Sequence, residues 1–91
     1  MELKQLQAFM AVVEEGTISA AAKRLHMAQP PLSCQMKSLE EELGTPLFWR
    51  GARHITLTPA GQALYKRAQQ MQRLSETAKQ EVAALRGKVQ G

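Results

Sequence analysis

The sequence predicts a mainly α-helical fold of three short helices, a two-stranded hairpin with a basic tip, and one long terminal helix. Three observations carry this expectation. Apolar residues recur at three- and four-residue steps through most of the 91-residue chain. One stretch, residues 47–57, breaks that period with strand-like composition around Gly51. Helix-starting and helix-stopping residues fall where the pattern changes.

Leu3, Leu6, Phe9, Met10 and Val13 make one face of the first helix, which Gly16 ends. Thr17 caps a second helix from Ile18 to about Leu25, its hydroxyl meeting the free N–H groups. Ala20, Ala21 and Ala22 are small enough there for another helix to cross at close range. After the turn His26-Met27-Ala28, a third helix begins near Gln29. Pro30 and Pro31 fit its first turn, where N–H groups have no intrahelical partner. Leu32, Met36, Leu39 and Leu43 are its expected buried face, and Gly44 its end. The opposite face carries Pro30, Ser33, Cys34, Lys37, Ser38 and Glu41.

Leu47-Phe48-Trp49-Arg50 and Ile55-Thr56-Leu57 flank Gly51-Ala52-Arg53-His54, a hairpin in which Trp49 is expected to pack on the domain. Thr58 and Pro59 then read as cap and first residue of a helix reaching about Arg86, on the order of 40 Å long. Its apolar stripe is Leu64, Ala68, Met71, Leu74, Ala78, Val82, Leu85 and Val89. So little domain remains to cover this stripe that a second copy is expected to do it. Leu64, Ala68, Met71, Leu74, Ala78, Val82 and Leu85 are therefore the candidate dimerisation residues.

Composition narrows the function. One cysteine excludes an internal disulfide and suits the cytoplasm; two histidines and no aspartate argue against a metal site. No Ser/His/acid set or Gly-rich phosphate loop is present, so neither catalytic residues nor a cofactor are expected. No apolar run approaches a membrane span, and the start lacks a signal-peptide pattern. The +4 net charge points to an anionic partner. Residues 44–61 hold two bases and no acid, and residues 62–91 hold six bases and two acids. The run Glu40-Glu41-Glu42 reads either as a charge that repels DNA or as a solvated helix end, with Glu40 able to reach a base such as Arg24.

Together these elements make a winged helix-turn-helix followed by a long dimerising linker helix: residues 1–58, with the helix-turn-helix at about 18–37, then 59–91. The third helix can enter a DNA major groove N-terminal end first, and the wing can set Arg53 against the backbone or minor groove. The residues Ile18-Ser19-Ala20-Ala21-Ala22-Lys23-Arg24-Leu25 and Ala28-Gln29-Pro30-Pro31-Leu32-Ser33 extend the case. So do Leu39-Glu40, Glu42-Leu43-Gly44, Leu47-Phe48, Arg50 and Thr56-Leu57-Thr58-Pro59-Ala60-Gly61. In these motifs and their spacing the whole chain closely resembles the N-terminal DNA-binding domain of LysR-type transcriptional regulators. Its Gln-Pro-Pro start is most similar to the branch regulating aromatic-compound catabolism.

The resemblance implies a cytoplasmic, nucleoid-associated bacterial regulator that binds an interrupted inverted repeat in double-stranded DNA as a homodimer through antiparallel linker helices. It also implies a larger C-terminal effector-binding domain, with a small-molecule effector only where that domain exists. The chain reads as the DNA-binding fragment of such a protein; a naturally short form is the alternative. Gln29, Pro30, Pro31 and Ser33 match family positions that approach bases or phosphates, Lys37 a phosphate contact, and Arg50 and Arg53 the wing arginines. Cys34 stands where the family most often has arginine, which removes a bidentate guanine contact and predicts a different base preference or a lower affinity at that position. Ala28 stands where a Ser or Thr cap is common, a loss of about 0.5–2 kcal/mol.

Plainer readings accompany these. Cys34 is a surface thiol with no resolving partner; His26 and His54 are turn and loop residues. The rival function is a protein-interaction module with a degenerate helix-turn-helix, supported by Cys34 and the three glutamates and opposed by Lys37, Arg50 and Arg53.

Overall fold

The computed structural model describes residues 1–49, 51 and 53–87. Arg50 and Val89, named above, lie outside the described residues. The elements are α1 (Leu3–Glu15), α2 (Ile18–Arg24), α3 (Gln29–Leu43), β1 (Phe48–Trp49), β2 (Thr56–Leu57) and α4 (Pro59–Arg86).

Local chemistry sets each boundary. Gly16 takes a left-handed φ of 84° and returns its N–H to the Val12 carbonyl, ending α1. Thr17 then accepts the Ala20 N–H at 3.1 Å and starts α2. In the turn to α3, His26 holds φ at 56° and Met27 donates to the Ala22 carbonyl at 3.0 Å. The prolines sit in the first turn of α3, and Gly44 closes that helix at φ 73°. At the head of α4, Thr58 accepts the Gly61 N–H at 3.0 Å while its own hydroxyl donates to the Pro46 carbonyl at 2.7 Å. One side chain thus caps α4 and ties it to the segment before β1.

Phe9, Val12, Leu32, Leu39 and Leu47 are fully buried, with Ala21, Ala22, Met36 and Phe48 around them. Each buried Phe, Leu, Val or Met side chain among them contributes about 1.5–3 kcal/mol. Phe9 and Phe48 meet with ring centroids 5.5 Å apart, so β1 packs on α1. A smaller cluster of Leu6, Met10 and Ala68 joins α1 to α4, with Leu64 and Tyr65 against both clusters. Packing therefore crosses position 59 and continues three turns into α4. Past Ala68 no α4 residue is buried, although α1 still flanks the helix at Gln72, Ser75 and Lys79, and the molecule measures 59 × 26 × 19 Å.

Several expectations are corrected. The strands are two residues each, Phe48 pairing with Leu57 and Trp49 with Thr56. Successive strand residues face opposite ways, so with Phe48 inside, Trp49 points outward and is 58% exposed. Leu3 and Leu43 are 52% and 39% exposed rather than core residues, because each sits in a terminal turn that its neighbours cover only in part. Arg24 pairs with Glu14 at 2.8 Å and Glu15 at 3.3 Å, not with Glu40 as expected.

Candidate nucleic-acid interface

On α3, Leu32, Met36 and Leu39 are buried, which turns the other side outward and fixes its rotation. Gln29, Pro30, Pro31, Ser33, Cys34 and Lys37 are all exposed. Gln29, Ser33 and Lys37 are spaced by four, so they form one row along the helix, with Pro30, Cys34 and Ser38 in the row beside it. From Gln29 to Lys37 the row spans ~12 Å, comparable to the width of a DNA major groove. Two of the four N–H positions that a helix start leaves unpaired are prolines here. Ala28 and Gln29 supply the donors that remain, and Ala28 offers no side-chain cap. A backbone contact to phosphate at this end thus falls to these two residues.

The glutamate run that could repel DNA is divided. Glu40 is buried and accepts the backbone N–H groups of Leu47 at 2.7 Å and Phe48 at 3.4 Å. Glu42 lies 2.6 Å from the Met1 amino nitrogen, and Glu41 is exposed. Glu40 thus fixes the start of the wing to α3. At its other strand, the Ile55 N–H donates to the Gly16 carbonyl at 2.7 Å, tying the wing to the turn between α1 and α2. Arg53 and His54 are exposed on the segment between these two anchors. Arg50 lies outside the described residues.

The expected dimer stripe splits in two. Ala68 is 1% exposed and Leu64 half-buried, both packed against Leu6 and Met10 of α1 in the same chain. Met71, Leu74, Ala78, Val82 and Leu85 are exposed, Leu74 and Val82 by 71% and 70%.

Sequence reasoning missed a polar junction beneath α4. The Tyr65 hydroxyl donates to Glu14 Oε2 at 3.1 Å, and Arg24 donates to Glu14 Oε1. Burial, and then the bond to Glu14, raises the Tyr65 hydroxyl above its ordinary value; the Glu14 hydrogen bond likewise raises Arg24. No local pattern links residues 14 and 65. Glu40 did leave a signal: it stands four residues after Met36, on the apolar face of α3. Among the described residues, no group of three His, Cys, Asp or Glu could hold a metal ion, and no helix is long and apolar enough to cross a membrane.

The family described as "Bacterial regulatory helix-turn-helix protein, lysR family" matches residues 3–62. The HTH-type transcriptional regulator TfdS of Cupriavidus pinatubonensis is 47% identical over 90 residues, covering 98% of this chain and 30% of that protein. ClcR of Pseudomonas putida is 43% identical over 90 residues, covering 98% and 31%. The chain thus spans about 30% of the length of these curated relatives. The CbnR DBD–DNA complex matches with a TM-score of 0.85 at 44% identity, covering 92% of this chain and 97% of that one. The BenM DBD/catB site 1 DNA complex matches at 0.89 and 41% identity, covering 93% and 94%.

Proposed function

This chain belongs to the lysR family of bacterial regulatory helix-turn-helix proteins, and we propose that two copies of it read an interrupted inverted repeat in duplex DNA. The observation that carries this reading is the exposed row Gln29, Ser33 and Lys37 on an α3 held from behind by the core. Gln29, Pro30, Pro31, Ser33 and Cys34 set base preference, with Cys34 in place of the bidentate arginine. Lys37, Arg50 and Arg53 contact phosphate and contribute affinity without sequence information. The exposed part of α4, from Met71 to Leu85, pairs with the same segment of a second chain. Effector response and control of particular genes belong to the rest of such a regulator.

The test is a fluorescence titration of the chain into an inverted-repeat duplex and a scrambled one at two salt concentrations. Three phosphate-contacting bases per copy give about six per dimer, hence about a thousandfold loss of affinity between roughly 50 and 200 mM salt. Arg53→Ala weakens binding to both duplexes alike, whereas Gln29→Ala and Ser33→Ala change the ranking of sites. Absence of binding at low salt overturns the reading and leaves the interaction module standing.

A further inference from the structure

One carboxylate joins three helices. Glu14, near the end of α1, accepts Arg24 Nη1 of α2 at 2.8 Å on Oε1 and the Tyr65 hydroxyl of α4 at 3.1 Å on Oε2. Glu15 holds the same guanidinium nitrogen at 3.3 Å. The apolar contact beside this junction is small, Leu6 and Met10 against Ala68 with Leu64 and Tyr65 at its edge. An alanine facing an adaptable methionine lets one helix rock on another. Hydrogen bonds do not, because they weaken steeply with misalignment. The junction therefore adds a directional constraint on α4 to the apolar packing.

A small angle matters here because α4 is a long lever. From Tyr65 to Arg86 it extends ~32 Å at 1.5 Å per residue. A rotation of ~6° about Tyr65 moves the far end by ~3.4 Å, the rise of one base pair. We propose that the Tyr65–Glu14–Arg24 junction is a positioning device that fixes the direction of α4 and so sets the half-site spacing a pair of chains accepts. The inference rests on the dimeric DNA reading proposed above. None of the three residues stands in the exposed rows of α3.

The test measures affinity for inverted-repeat duplexes whose spacers differ by single base pairs, and for a duplex holding one half-site. The half-sites are those the wild-type chain selects from a random pool. Tyr65→Phe keeps the ring that packs against the core and removes only the hydroxyl; Glu14→Ala removes the shared acceptor. Circular dichroism establishes that both fold. In each, the affinity ratio between the best spacer and its neighbours falls at least threefold, while single half-site affinity stays within twofold of wild type. Unchanged ratios in both folded variants overturn the inference. So does an equal loss on every duplex, the mark of a merely structural role. A wild-type chain that binds the repeats no better than one half-site overturns the dimeric reading itself, and the inference with it.

Discussion

The Glu40 carboxylate, on the core side of α3, accepts the backbone N–H of Leu47 at 2.7 Å and so ties α3 to the residue that leads into β1. A second backbone N–H, that of Phe48, reaches the same oxygen at 3.4 Å. Glu40→Ala strands both donors in a buried setting. The expected cost is about 2 kcal/mol, which lowers the melting temperature by roughly 8–16 °C for a domain this small. Thermal unfolding followed by circular dichroism checks it, and a change below a few degrees would falsify the tether.

Gly61→Ala separates two opposed effects. Helix propensity alone favours alanine by ~1 kcal/mol at a helical position. The added Cβ, however, would collide with the Leu47 carbonyl oxygen and lie 2.9 Å from Leu57 Cδ2. Backbone cannot yield as a flexible side chain does, so the clash wins and the variant loses about 2 kcal/mol net. Urea unfolding gives the sign directly; a stabilised variant would contradict the close approach of α4 to Leu47.

The Tyr65 hydroxyl makes stability depend on alkaline pH. Its value is raised in the folded chain above the ordinary 10.0, by burial and by the bond to Glu14. Below pH ~10 the hydroxyl is protonated in both states and its contribution is complete. As pH climbs past that value and through the raised folded one, the contribution is lost. Between pH 8 and 11 the urea midpoint of the wild type should therefore fall further than that of Tyr65→Phe. Parallel profiles would exclude the role.

Removal of the distal part of α4 tests what covers it. Leu64, Tyr65 and Ala68 belong to the core of a single chain, so a cut after Gln70 retains them and removes Met71, Leu74, Ala78, Val82 and Leu85. Residues 1–70 are expected to sediment as a folded monomer and the full chain as a dimer. A dimer of the short form would place the pairing surface elsewhere.

The helix boundaries were legible because single residues enforce them: Gly16, Thr17, Gly44 and the Thr58-Pro59 pair all act where the sequence indicates. The outward row of α3 was legible too, since the spacing of Leu32, Met36 and Leu39 fixes the opposite side. What periodicity does not contain is the neighbour. Leu3 and Leu43 continue the pattern of their helices into terminal turns that the core covers only in part. Leu64 and Ala68 share a stripe with Met71 and Leu74, yet α1 covers the first pair and not the second. Adjacent Phe48 and Trp49 cannot both face inward, and the contact with Phe9 decides between them. The bond from Tyr65 to Glu14 joins residues with no local relation at all.

The unsupported length of α4 makes its ordering a matter of concentration. From Gln69 to Arg86 the helix is 18 residues long with no core of its own, close to the length at which isolated helices are marginal in water. In the proposed pair of chains the partner supplies the missing burial, so in dilute solution winding of this segment and its association become a single thermodynamic event. Amide hydrogen exchange in the second half of α4 then slows as protein concentration rises, while the core amides of α1 and α3 stay protected by global stability.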